Sequence, residues 1–222
     1  FAPTKKAVSN LKKSGVIENV FLTGNTVIDS LILIMKRRKK SNFHNQIKDS
    51  KVIFVTVHRR ENWGKKLENI ADGLNRILTK HKNVKVILPL HPNKIVRKPI
   101  LNVLENNSQA ILTEPLAYDD MIATINECRF ILTDSGGIQE EAPTLNKPVL
   151  ILRDNTERQE AIDSGTAKLV GTDPKKILEE SEKLLFDNDK YNEMANSLNP
   201  FGDGKASEKI LKYCLDFLKI SD

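Results

Sequence analysis

The stretch Phe130–Ala142, FILTDSGGIQEEA, carries an apolar strand-like run into Asp134, Ser135 and two glycines, and from there into an acidic helix start. A backbone can hold a phosphate with such a turn. Glycines let the chain bend tightly and let an anion approach the main chain with no Cβ in the way. The first N–H groups of the helix have no intrahelical partner and face the anion. Ser135 stands where an N-cap hydroxyl would be expected. An ordinary capped strand-to-helix turn has the same composition, so the flanking segments have to decide between the two.

Working outward, short Val- and Ile-rich runs alternate with segments of helical period. The runs are Val20–Thr23, Val52–Val57, Val84–Leu90, Ala110–Thr113, Phe130–Thr133, Pro148–Leu152 and Lys168–Val170. Between them, helices are predicted over Leu67–Lys80, Lys94–Glu105, Tyr118–Glu127, Gln139–Leu145 and Glu157–Ser164. Strands buried on both faces, each followed by a helix, describe an α/β fold with a Rossmann-like doubly wound parallel sheet. Ligands of such sheets sit outside the carboxyl ends of the strands. Beyond Val170 the pattern is helical: Pro174 suits the first position of a helix over Lys175–Phe186, Tyr191–Leu198 follows, and the breaker Asn199–Gly204 precedes an amphipathic helix over Ala206–Lys219.

The 222 residues suffice for one large or two small domains with a real core. No apolar run approaches the ~20 residues of a membrane span, and the opening FAPTKKAV has no signal-peptide core. With no initiator Met, Phe1 reads as a start within a longer polypeptide. Cys128 and Cys214 are expected as buried thiols in a reducing, cytoplasmic compartment. The net charge of +6 is local, because residues 1–48 hold ten Lys or Arg against two acids. Its densest part, Lys36–Lys40, reads as the solvated cationic end of a helix. No aromatics interleave with these cations, which argues against nucleic acid.

Three strand ends carry polar clusters. The run VIFVTV ends in His58-Arg59-Arg60-Glu61-Asn62, four consecutive ionisable side chains that packing does not explain. His58 could donate to a phosphate or move a proton near neutral pH, and arginines bind phosphate oxygens in a fork. VKVILPL ends in His91-Pro92-Asn93, where ordinary loop formation accounts for Pro and Asn. PVLIL ends in Arg153–Arg158 and offers a positive wall beside the glycine turn. Glu141 lies six helical residues from Ser135, a rise of roughly 9 Å, about the reach from a phosphate to the diol of its ribose. It could accept from that diol, or merely complement the helix N-terminus together with Glu140. There is no metal-ligand spacing, P-loop or GxSxG, and SGG is not the GxGxxG of nicotinamide enzymes.

Taken together, FAPT at 1–4, GNTVIDSL at 24–31, HRREN at 58–62, TDSGGIQEEAPTLNKPVL at 133–150, RDNTERQEA at 153–161 and LVGTD at 169–173 resemble the non-hydrolysing UDP-N-acetylglucosamine 2-epimerases, specifically the later part of their polypeptide. The resemblance implies the C-terminal half of a GT-B-like two-domain fold. It divides the chain into the end of the N-terminal domain and a linker (residues 1–45), a UDP-binding domain (46–198) and a helix returning toward the N-terminal domain (199–222). By motif, Ser135, Gly136 and Gly137 would hold the diphosphate, Glu141 the ribose, and Arg158 and the catalytic His58 the diphosphate side of the cleft. Met121 stands where the family places an aromatic ring against uracil, and backbone near Leu116 would read the uracil edge. The loop His91-Pro92-Asn93 departs from the family's HxNP pattern.

The implied reaction interconverts UDP-GlcNAc and UDP-ManNAc by removing the C2 proton, expelling UDP and adding it back. It needs no cofactor or metal and no nucleic-acid or membrane partner. It runs in a homodimer whose acid and base carboxylates lie outside this chain, so the chain alone would bind UDP without turnover. A hydrolysing relative, a GT-B glycosyltransferase and a non-catalytic UDP-sugar-binding module remain as alternatives.

Overall fold

The computed structural model describes residues 1–37 and 39–219. The first part of the chain forms α1 (Lys5–Lys13), α2 (Thr26–Met35), the single turn α3 (His44–Ile47), β1 (Lys51–Thr56), α4 (Lys65–Lys80), β2 (Val84–Pro89), α5 (Lys94–Leu104) and β3 (Ala110–Thr113). There follow α6 (Tyr118–Glu127), β4 (Phe130–Thr133), α7 (Gly136–Glu141), β5 (Val149–Ile151), α8 (Gln159–Asp163), β6 (Ala167–Leu169), α9 (Pro174–Phe186), α10 (Asn188–Ala195) and α11 (Ala206–Leu218). Short 3-10 turns occupy Arg60–Asn62 and Ala142–Leu145. The described elements group into two compact units, one within residues 39–198 and the other of residues 1–37 with 199–219.

The larger unit is built on one parallel sheet of order β3-β2-β1-β4-β5-β6. The register aligns Ile53 with Phe130 and Thr56 with Thr133, so β1 and β4 end side by side. Sequence order reverses between these two strands, and in open α/β sheets a ligand crevice forms at that point. Two-sided burial explains the unbroken apolar runs: Ile53, Phe54, Val55, Phe130, Ile131 and Leu132 have no exposed surface. The helix α4 turns Leu67, Ile70, Leu74 and Ile77 inward at helical spacing. Gly73 lets it approach α9 closely, since a Cβ there would lie 3.1 Å from Ile177.

Several elements depart from the sequence reading for local reasons. Among the described residues the run Val20–Thr23 forms no sheet strand; it meets the start of the chain at an isolated bridge between Ala2 and Leu22, where Ala2 N donates to Phe21 O at 2.8 Å and Thr23 N to Ala2 O at 3.0 Å. The helix expected over Gln139–Leu145 starts earlier, at Gly136, and tightens to 3-10 geometry at Ala142, just before Pro143 removes an N–H. Lys39 is no solvated helix end, because its ammonium pairs with Asp119 at 3.0 Å and Asp120 at 2.6 Å on α6. Arg38, in the same basic run, lies outside the described residues. Ser41 and His44 bond α6 as well, Ser41 N to Glu127 Oε1 at 2.8 Å and His44 Nδ1 to Glu127 Oε2 at 2.9 Å, so segment 39–44 is fastened along that helix.

In the smaller unit Thr4 caps α1 and Asn25 caps α2 through their side-chain oxygens. Asp29 of α2 accepts from Ala206 N at 3.2 Å and Ser207 N at 2.8 Å, serving the start of α11. Cys128 and Cys214 are free thiols. Among the described residues, no helix is long and apolar enough to cross a membrane, and no group of three or more His, Cys, Asp or Glu is placed to hold a metal.

Candidate functional site

The organising group is Asp134, the first residue beyond β4, which is fully buried. A buried carboxylate is costly unless hydrogen-bonded, and Asp134 meets that condition with the loop after β1. His58 N donates to both its oxygens at 3.0 and 3.1 Å, Arg59 N to Oδ2 at 2.9 Å and Asn62 Nδ2 to Oδ2 at 3.0 Å. Asn62 Nδ2 also reaches Leu152 O at 3.0 Å, so three neighbouring strand ends are tied together. His58 Nδ1 lies 3.4 Å from Asp134 Oδ1, and the residue lines the cleft at the strand mouths.

Two guanidinium groups close on the glycine turn. A Cβ on Gly136 would lie 3.3 Å from Arg59 Nη2 and 3.6 Å from Arg158 Cζ. The Nε of Arg59 is buried with no hydrogen-bond partner among the described residues. Arg158 is fixed through Nε, which donates to Glu140 Oε1 at 2.6 Å. Its backbone is fixed too: Arg158 N bonds Thr156 Oγ1, Thr156 Oγ1 bonds Gln139 Oε1, and Gln139 Nε2 bonds Ser135 O, at 3.1, 2.6 and 3.0 Å. The arginine is thereby registered to the turn it faces.

The positive wall expected from Arg153–Arg158 is narrower than the sequence suggested. Arg153 is almost wholly buried and spent on two carboxylates, Glu61 and Glu157. The bond from Arg153 holds Glu157 well below the usual carboxylate range, at about 2. Arg153 braces the loop, and Arg59 takes the place beside the turn. Ser135 occupies the N-cap position of α7, yet its side chain caps nothing; its N–H is drawn back to Thr133 Oγ1 at 2.9 Å.

A cleft of about 380 Å³ opens at the mouths of β1, β2 and β4. Six of the eight residues singled out in the sequence line it: His58, Leu116, Met121, Ser135, Gly137 and Glu141. Gly136 and Arg158 meet each other at its edge. The His91 ring stacks near that of His58 with centroids 6.3 Å apart, and its Nδ1 accepts from Asn93 N at 3.2 Å. Glu141, on the last turn of α7, is 7% exposed. Burial pushes its acid up, while the Tyr118 hydroxyl, which donates to Oε1 at 2.8 Å, draws it back down.

Asp134 and Asn62 stood within motifs read from the sequence but were given no role of their own, and Tyr118 was not singled out. Asp134 had a signal, a charged residue directly against a four-residue apolar run. Asn62 was marked only by its place in HRREN and Tyr118 by nothing, since their partners are 72 and 23 positions away.

A doubly wound parallel sheet, with a glycine turn and two arginines at its reversal point, defines the Rossmann-like half of a GT-B-type fold. The family model described as UDP-N-acetylglucosamine 2-epimerase matches residues 1–215. The chain belongs to that family. It is 45% identical over 228 residues to a putative UDP-N-acetylglucosamine 2-epimerase of Thermotoga maritima, covering 100% of this chain and 60% of the relative. Its structure resembles that of S. aureus MnaA with UDP (TM-score 0.95, 40% identity, 100% of this chain and 61% of that one). It also resembles the Neisseria meningitidis UDP-GlcNAc 2-epimerase bound to UDP-GlcNAc (TM-score 0.91, 40% identity, 97% and 61%). The chain thus spans about three-fifths of the length of these relatives.

Proposed function

We propose that this chain is the UDP-binding part of a UDP-N-acetylglucosamine 2-epimerase of the non-hydrolysing type, interconverting UDP-GlcNAc and UDP-ManNAc. The observation that carries the proposal is the convergence of Arg59 and Arg158 on Gly136, within a turn whose partner loop is locked by Asp134. Guanidinium groups and helix-start amides stabilise a diphosphate most when its charge grows as it leaves. The reaction demands this: the C2 proton is removed, the C1–O bond to UDP breaks to give a glycal, and UDP adds back to a molecule protonated from the other face. Ser135, Gly136 and Gly137 hold the diphosphate with Arg158, Glu141 accepts from the ribose diol, and Met121 lies against the base with backbone near Leu116 at its edge. His58, which lines the cleft, acts at the sugar side of the diphosphate.

The remaining two-fifths of the relatives' length would supply the acid and base carboxylates, so the isolated chain binds UDP without turnover. The smaller unit offers apolar surface for that remainder, with Leu33 62% and Phe217 81% exposed. The working protein is a cytoplasmic homodimer that needs no cofactor.

Calorimetry with UDP tests the cradle. Arg158→Ala and Gly136→Val should each weaken binding about tenfold or more, the scale of one lost charge-assisted bond. Unchanged affinity in both would remove the cradle. In the full-length protein His58→Asn should abolish turnover while UDP still binds, and product analysis should return UDP-ManNAc; free ManNAc would overturn the non-hydrolysing assignment.

A further inference from the structure

Glu141 is an unusual ribose ligand to leave unsupported, because it is mostly buried and its side chain turns about three single bonds. Desolvation disfavours its charge. Tyr118 supplies what is missing: from the first residue of α6 its hydroxyl donates to Glu141 Oε1 at 2.8 Å. Tyr118 is not among the residues lining the cleft and is 37% exposed, so the bond supports Glu141 without occupying the cavity. With Oε1 fixed, the carboxylate is held where Glu141 lines the cavity with Met121 and the glycine turn, and its other lone pairs are left to accept.

We infer that Tyr118 is the positioning residue that makes Glu141 a reader of the ribose diol, so that the chain selects ribonucleoside over deoxyribonucleoside diphosphates. This rests on the UDP reading above. Two vicinal hydroxyls donate to the oriented carboxylate. A nucleotide lacking them leaves a buried acceptor unmet, and a site built to bond a hydroxyl rejects the analogue without it more strongly than an apolar site can. Without the phenol, Glu141 is free to rotate and more readily protonated, and the preference fades while the grip on the diphosphate stays.

The experiment is calorimetry near neutral pH with UDP and 2′,3′-dideoxy-UDP on the wild type, Tyr118→Phe, Glu141→Ala and the double variant, with thermal melts as a check on folding. The wild type should prefer UDP by about tenfold or more. Tyr118→Phe should cut that preference about three- to tenfold by weakening UDP alone, the range expected for one hydrogen bond, and should change nothing once Glu141 is gone. Equal losses for both nucleotides, an unchanged preference, or an effect of Tyr118→Phe that persists without Glu141 would each overturn the inference. Equal wild-type affinity for the two nucleotides would overturn it too, while leaving the UDP reading standing. A wild type that binds neither would bring down both.

Discussion

At one end of the cleft Asp134 accepts hydrogen bonds from His58, Arg59 and Asn62 at 2.9–3.1 Å, whereas the wall around Leu116 and Met121 presents apolar side chains, beside Glu141 held by the partly exposed Tyr118. The first end is polar, locked and specified by long-range bonds. The second gains its shape from packing, which tolerates substitution of similar volume. The contrast matches the task proposed for each: a charged leaving group needs fixed dipoles and cations, since reorganisation during the reaction would cost barrier height, while a planar base needs only a surface of the right shape. Met121 suits such a wall, because its polarizable thioether can lie against a ring.

The sharpest way to break this contrast is to remove the lock. Asp134→Ala would leave the His58 and Arg59 backbone amides without their acceptor and cost the Asn62 amide one of its two bonds, and each group so left costs about 1–3 kcal/mol. Urea unfolding should show a loss of roughly 3 kcal/mol or more, at the severe end for single substitutions, and UDP affinity should fall with it as His58 and Arg59 lose their places. Asp134→Asn, which keeps one acceptor, should lose less. Wild-type stability in Asp134→Ala would mean that the loop holds itself and that the two ends do not differ in the way described.

At the other end the effect should be smaller and opposite in sign. Met121→Phe replaces a thioether by a ring that can stack on uracil, and aromatic pairs gain about 0.5–1.5 kcal/mol beyond their burial. UDP should bind about two- to tenfold more tightly by calorimetry, with little change in the melting temperature. Weaker binding would show that the wall is as exactly fitted as the locked end, and would end the comparison on that side.

The sheet was legible because doubly wound strands are buried on both faces and write themselves as runs such as Val52–Val57 and Phe130–Thr133. The order of the strands lent itself to inference only as far as neighbours in sequence tend to be neighbours in space. Val20–Thr23 misled because its apolar residues belong to an irregular segment that meets Ala2 through one isolated bridge among the described residues, a context that composition does not record. In the site, the glycine turn and HRREN announced themselves by local chemistry. The division of labour among arginines did not: Arg153, Arg158 and Arg59 have the same fork, and only the folded positions of Glu61 and Glu157 decide that Arg153 braces while Arg59 faces the turn. Ser135 shows the same limit at shorter range, because Thr133 two residues earlier takes its N–H and its hydroxyl caps nothing.

The brace itself gives the smallest and most specific expectation. Glu157 is held by Arg153 at about 2, below the ordinary carboxylate value of 4.5. A carboxylate with a depressed folded value adds stability that is complete above its unfolded value and is lost as pH falls from about 4.5 through about 2. Wild type and Glu157→Gln should therefore differ most near neutrality and converge in acid, with the difference between their melting curves removing the contribution of every other carboxylate. Glu157 is 54% exposed, so water and salt screen the pair, and the neutral-pH difference should be no more than a few degrees for a unit of this size. UDP affinity at neutral pH should barely change, because Arg158 is tied to the turn through Thr156 and Gln139 and not through Glu157. A large loss of UDP binding in Glu157→Gln would show instead that the brace positions the cradle, and the line drawn between Arg153 and the two cleft arginines would have to be erased.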